Sequence, residues 1–198
     1  MIKLKNLFIR ALLALCIISA APAALAGPTY RVALDTASWQ GESGYLDLSY
    51  GGLIGSASGT ALASNFTGDF DDSVEVYVEH LASGTRASGF TLISSENLAF
   101  ISQAVNFGGV FTFDLRFDTL GEGLAADFGV ALTDLGFNPL EGFSGFTFTL
   151  LTGQDTALPV DPAPGFGSVV AVPEPGEWLL MATGLLMLGA TRRLNPRR

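Results

Sequence analysis

The segment Val110-Phe-Thr-Phe-Asp-Leu-Arg-Phe-Asp118 alternates apolar and polar residues without a break. Phe111, Phe113, Leu115 and Phe117 share one side; Thr112, Asp114, Arg116 and Asp118 share the other. A period of two scatters those phenylalanines around a helix but lines them up along a strand, so the segment predicts a β-strand with one face in a core and the other in water. Residues 73–81 show the same period, with Val74, Val76 and Val78 against Glu75, Tyr77 and Glu79. So do residues 145–151, with Phe146, Phe148 and Leu150 against Thr147 and Thr149. Shorter strand-like stretches are 30–35, 45–50, 60–70, 89–94, 128–133 and 168–172. Residues 97–107 fit a short helical turn as well as a strand, through Leu98, Ile101 and Val105. About nine short strands, each with one apolar face and separated by Gly, Ser and Thr, predict an all-β fold of two antiparallel sheets packed face to face. A jelly-roll-like β-sandwich is the first expectation and a Greek-key sandwich of immunoglobulin type the second. Residues 156–165, with Pro159, Pro162 and Pro164, read as a loop.

Both ends of the chain differ from this body. Lys3, Lys5 and Arg10 precede an apolar run over residues 11–21 and then Ala24-Leu25-Ala26. That three-part layout predicts a secretory signal peptide over residues 1–26, cleaved after Ala26. Cys16, the single cysteine, lies inside it with Leu15 in front, which does not match a lipidation site. The body, residues 27–172, is therefore free of cysteine and lysine, which excludes disulfides, thiolate nucleophiles, Cys-bound metals and lysine Schiff bases. It holds 17 acidic residues against Arg31, Arg86 and Arg116, a formal charge of −14. Such a surface repels phosphate backbones and other polyanions, so nucleic acid is not an expected partner. Fourteen phenylalanines in the same region supply the core.

Candidate sites are few. Asp69, Asp71 and Asp72 form the densest acidic cluster, and Ca²⁺ takes carboxylate oxygens from such loops, although the spacing is not that of an EF-hand. His80 is the one histidine; it continues the Val74, Val76, Val78 side and is too solitary for a multi-histidine metal site. No Gly-x-Ser-x-Gly elbow occurs, and the pairs Gly51-Gly52 and Gly108-Gly109 are turns rather than phosphate loops. Carboxylates suited to glycoside hydrolysis are defined by separation in space, so their abundance here identifies none. Trp39, Tyr45, Tyr50 and Tyr77 can offer flat rings to sugars; Trp39 and Tyr45 are the expected carbohydrate contacts, and a Trp plugging one end of the sandwich is the plainer reading of Trp39.

The C-terminal 26 residues begin Pro173-Glu-Pro-Gly-Glu-Trp178, continue as an apolar run through Ala190 and end on Arg192, Arg193, Arg197 and Arg198. Residues 178–191 as a helix would reach about 21 Å against a hydrocarbon layer of about 30 Å, a thin anchor suited to a temporary stop with its arginines on the cytoplasmic side. Val172-Pro-Glu-Pro175, an apolar helix and a terminal basic cluster together resemble the PEP-CTERM sorting signal of exopolysaccharide-producing Gram-negative bacteria. The resemblance implies recognition at Pro173, Glu174 and Pro175 by the membrane protease exosortase, a membrane stop at Arg192 and Arg193, and delivery to the cell surface or extracellular matrix after signal peptidase has acted. The body also looks like a group of small all-β proteins carrying that signal, through Tyr30-Arg-Val-Ala-Leu-Asp-Thr36, Gly44-Tyr-Leu-Asp-Leu48, Ser64-Asn-Phe66 and Phe111-Thr-Phe-Asp-Leu-Arg-Phe117; this carries over no catalytic residue. The expected function is a non-enzymatic structural or interaction component without a cofactor. A carbohydrate-binding module for exopolysaccharide is the alternative, and a surface hydrolase comes third. Mass spectrometry of protein recovered from the cell surface and medium should find a C-terminus near Pro175; an intact Arg198 in both fractions contradicts processing.

Overall fold

The computed structural model describes residues 28–172, apart from Leu53, Thr119, Leu120, Ser144, 153–157 and 161–165, together with Gly184. The signal-peptide and sorting-segment expectations, including Pro173, Glu174, Pro175, Arg192 and Arg193, lie outside the described residues. Ala26–Val172 forms one compact unit. Its strands are β1 (Thr29–Asp35), β2 (Ser43–Gly51), β3 (Thr60–Thr67), β4 (Tyr77–Glu79), β5 (Ala82–Thr85), β6 (Gly89–Ile93), β7 (Ala99–Asn106), β8 (Val110–Phe117), β9 (Ala126–Asp134), β10 (Phe146–Leu150), β11 (Leu158–Val160) and β12 (Gly167–Val172), with one 3-10 turn, Ala37–Trp39.

The strands form two antiparallel sheets of six, ordered β12-β1-β8-β3-β6-β5 and β11-β10-β9-β2-β7-β4. Pairing is nested: β1 lies beside β8, β2 beside β7 and β3 beside β6. Phe111, Phe113, Leu115 and Phe117 of β8 are all buried, at 3 % exposure or less, as the alternation requires. They meet the inward side chains of the second sheet in an aromatic cluster. Phe117 packs against Tyr30 of its own sheet and against Tyr50, Phe128 and Phe148 of the other, with centroid distances of 6.3, 6.0, 5.6 and 5.7 Å. Tilted and edge-on rings at this spacing are the favoured geometry for aromatic pairs.

One end of the molecule is closed by Trp39, which packs against Phe107, Phe143 and Phe166. Thr36, fully buried, sets the turn that delivers it. The Thr36 hydroxyl donates to the Gly109 carbonyl and accepts from the N–H groups of Gly108 and Gly109, tying the end of β1 to the turn by which the chain passes from β7 in one sheet to β8 in the other.

Three local expectations change. Within residues 97–107, Ala99–Asn106 form strand β7, because pairing to β2 along its length and to β4 at residues 100–102 satisfies their backbone groups; Ile101 and Val105 are buried while Leu98 is exposed. Residues 73–81 contribute only the three-residue β4, at a sheet edge, and Val74 and Val78 face solvent; Val76 alone packs on the core. Residues 158–160, expected in a loop, pair with β10 as the outermost strand, where Pro159 needs no ladder hydrogen bond on its outer side.

On the outer face of the first sheet, Asp114 sits mid-strand at 8 % exposure and is fully paired. Arg31 Nε donates to Oδ1 at 2.7 Å, and Arg31 Nη2 and Asn65 Nδ2 donate to Oδ2 at 2.9 and 2.8 Å. The Arg31 fork holds the Asp114 carboxyl below the usual carboxylate range, and Asn65 adds to this against the effect of burial. A lowered carboxyl stabilises the fold above its unfolded value and loses that contribution as pH falls through its folded value. Asp114→Asn should therefore destabilise at pH 7 and make acid unfolding less steep, as followed by circular dichroism between pH 7 and 2. In the core, Phe148→Ala should cost about 3–5 kcal/mol in urea unfolding. Val170→Ala, at an exposed position on β12, should stay within about 0.5 kcal/mol of the parent.

Candidate functional site: the outer face of the second sheet

Alternation places Leu46, Leu48 and Tyr50 of β2 in the core and turns Tyr45, Asp47 and Ser49 outward. Register then fixes their neighbours. Tyr45 lies between Thr133 and Ala104, Asp47 between Ala131 and Ser102, and Ser49 between Gly129 and Phe100; β4 adds Tyr77 beside Ser102 and Glu79 beside Phe100. The middle of this face is thus made of small side chains, with aromatic rings toward two sides.

The first aromatic pair is Tyr45 and Phe137. Their rings are parallel, 4 degrees apart in plane and 4.7 Å between centroids, and Phe137 is 58 % exposed. Phe137 occupies the left-handed backbone region at φ 61°, where a bulky residue is an outlier that its surroundings must hold in place. Asp134 does so. Its Oδ1 accepts from the N–H groups of Gly136 and Asn138 at 2.8 and 2.9 Å, and its backbone carbonyl accepts from Phe137 N–H at 3.0 Å. Hydrogen bonds from Asn138 backbone and side chain, then from Gly136, hold the Asp134 carboxyl below its usual range. The second pair is Tyr77 and Phe100, edge to face at 6.2 Å, with Tyr77 53 % exposed.

Between the pairs, Asp47 is 7 % exposed. Thr133 Oγ1 donates to its Oδ2 at 2.8 Å, while Oδ1 has no hydrogen-bond partner and is closed off from solvent. The adjacent Ser102 hydroxyl, 1 % exposed at the residue level, also completes no hydrogen bond. Burial pushes the Asp47 carboxyl up, and the neighbouring Ser102 and Thr133 hydroxyls oppose that by favouring the charged form.

The other sequence-derived sites fall elsewhere. Trp39 is 8 % exposed with its indole among three phenylalanines, so it has no ring face free for a sugar. Tyr50 points into the core, where burial pushes its hydroxyl up to about 12. Asp69, Asp71 and Asp72 do not converge: Asp69 accepts from Asn106, Asp71 from Ser73 and Asp72 from Arg86, whose guanidinium lies over the Phe70 ring. Among the described residues no group of three His, Cys, Asp or Glu is arranged to hold a metal. His80 is exposed beside Glu79, with 3.5 Å between Nε2 and Oε1, on a surface depression it shares with Leu81 and residues 95–97. Tyr45 alone among the expected contacts joins the aromatic platform. Phe137, Asp47 and Ser102 were not singled out by sequence; an Asp flanked by Leu46 and Leu48 on a strand was the one available signal.

A carboxyl raised by burial binds its proton more tightly in the folded state, so it costs stability above its folded value and recovers it as pH falls toward the ordinary value near 3.9. Asp47→Asn, which keeps shape and removes the charge, should raise stability at pH 7 by about 1–2 kcal/mol. That gain should vanish by about pH 4, as thermal melts at the two pH values will show. Comparison with known protein families, curated proteins and solved structures finds no match to this chain.

Proposed function

We propose that this protein is a non-enzymatic surface interaction module whose body is a jelly-roll sandwich that binds a neutral polysaccharide through the Phe137–Tyr45 platform. The nested pairing of β1 with β8, β2 with β7 and β3 with β6 supports the jelly-roll reading. The observation that carries the binding reading is Phe137. A large apolar ring, half exposed, is held at a costly backbone geometry by a network centred on Asp134, with its ring stacked on a tyrosine. A loop that served only to join β9 to β10 would be better with Gly or Asn at that position.

Charge narrows the ligand. All three arginines of the body pair with acids, Arg31 with Asp114, Arg86 with Asp72 and Arg116 with Asp118, leaving the rest of the 17 carboxylates to set the field. That field disfavours uronic or sulfated chains and leaves neutral ones. Export through a signal peptide and sorting by exosortase, followed by residence at the cell surface or in the matrix, complete the proposal; the layouts of residues 1–26 and 173–198 support them.

Affinity electrophoresis in gels containing dextran, a mixed-linkage β-glucan or a galactomannan should retard the protein in at least one. Phe137→Ala should abolish the retardation. Phe137→Tyr, which keeps the ring, should preserve it. Equal mobility with and without every polysaccharide overturns the platform reading.

A further inference from the structure

The outer faces of the two sheets present a contrast. Each carries one aspartate in mid-strand at less than a tenth exposure, Asp114 on β8 and Asp47 on β2. Asp114 receives three side-chain hydrogen bonds from Arg31 and Asn65. Asp47 receives one, from Thr133, and its second oxygen and the neighbouring Ser102 hydroxyl are left without partners. A buried carboxylate oxygen without a donor is among the costlier features a fold can carry, and one on an outward face has an obvious direction from which a donor can arrive.

We propose that the polysaccharide resting on Phe137 and Tyr45 continues across the second sheet to Tyr77 and Phe100, and that its hydroxyl groups complete the hydrogen bonding of Asp47 and Ser102. This rests on the platform reading and extends it to a specificity-determining floor. Chemistry selects the ligand class. Asp47 Oδ1 accepts only, Ser102 Oγ both donates and accepts, and the flanking rings favour flat apolar surfaces; a sugar ring presents hydroxyl donors at its edge and C–H groups on its face. The floor has room because Ala104, Ala131, Ser49 and Gly129 surround the two polar groups. Adjacent strands lie about 4.8 Å apart, so β2 and β4, two intervals apart, set Tyr45 and Tyr77 about 10 Å apart across the sheet. Tyr77 borders the floor: it is the register partner of Ser102, stands on a three-residue strand at the sheet edge, and is 53 % exposed.

The test uses the full chain and the polysaccharide that retards it, together with short and long oligosaccharides cut from that polymer, in isothermal titration. Tyr77→Ala should weaken the long oligosaccharide at least tenfold and leave the short one, held by Phe137 alone, within twofold. Asp47→Asn and Ser102→Ala should each weaken the long oligosaccharide about tenfold. Asp47→Asn should do so while melting higher than the parent at pH 7, a combination that a merely structural aspartate does not produce. If Phe137→Ala loses binding while all three floor variants bind the long oligosaccharide like the parent, water meets the two polar groups and the extended site is overturned with the platform intact. If no polysaccharide or oligosaccharide binds the parent protein, the platform and its extension fall together.

Discussion

Phe117 is the residue through which the two sheets of this protein hold each other. It reaches from the middle of the first sheet into Tyr50, Phe128 and Phe148 of the second, and Tyr30 closes the ring by meeting Phe148 at 5.6 Å. Without disulfides in the body, these ring contacts and the aliphatic layer around them provide the cross-links. Because aromatic packing is directional as well as apolar, it sets sheet against sheet at a defined offset, and everything on the outer faces inherits that position.

The inheritance is clearest on β2. Leu46, Leu48 and Tyr50 are held inward by the core, which forces Asp47 outward between Ala131 and Ser102. The same core leaves Ser102 and Ala104 on the outside of β7 because Ile101 and Val105 are inside. A face built in this way is shaped by packing on its opposite side, and its polar groups are satisfied only where a long partner happens to reach them. Arg31 and Asn65 reach Asp114. Asp47 Oδ1 completes no hydrogen bond, although the Ser102 hydroxyl lies beside it and favours its charged form. Stability held back at such a position is a familiar companion of binding function.

The outer face of the second sheet carries its exposed rings in two pairs, Tyr45 with Phe137 and Tyr77 with Phe100. Phe137 and Tyr77 occupy opposite flanks of the same face, and both are held by short-range devices, an Asp-centred turn in one case and an edge strand in the other. Trp39, the largest ring, is spent on closing the end of the sandwich against Phe107, Phe143 and Phe166.

Alternation along β8 and β10 was enough to name their buried side chains, because a strand's two faces depend only on residue parity. Composition alone likewise set the charge of the body and the chemistries it lacks. Local pattern failed where pairing decided the outcome. Val74 and Val78 alternate as well as Phe146 and Phe148 do, yet they flank or join an edge strand, and they face water. Residues 99–106 became a strand, and 158–160 paired despite Pro159, because a neighbouring strand was present to accept them. The Phe137–Tyr45 stack, the burial of Trp39 and the unpartnered oxygen of Asp47 join residues far apart in the chain. Parity is a property of successive residues and can be read from sequence; which side chains meet is a property of register and sheet order, and only the tertiary structure supplies it.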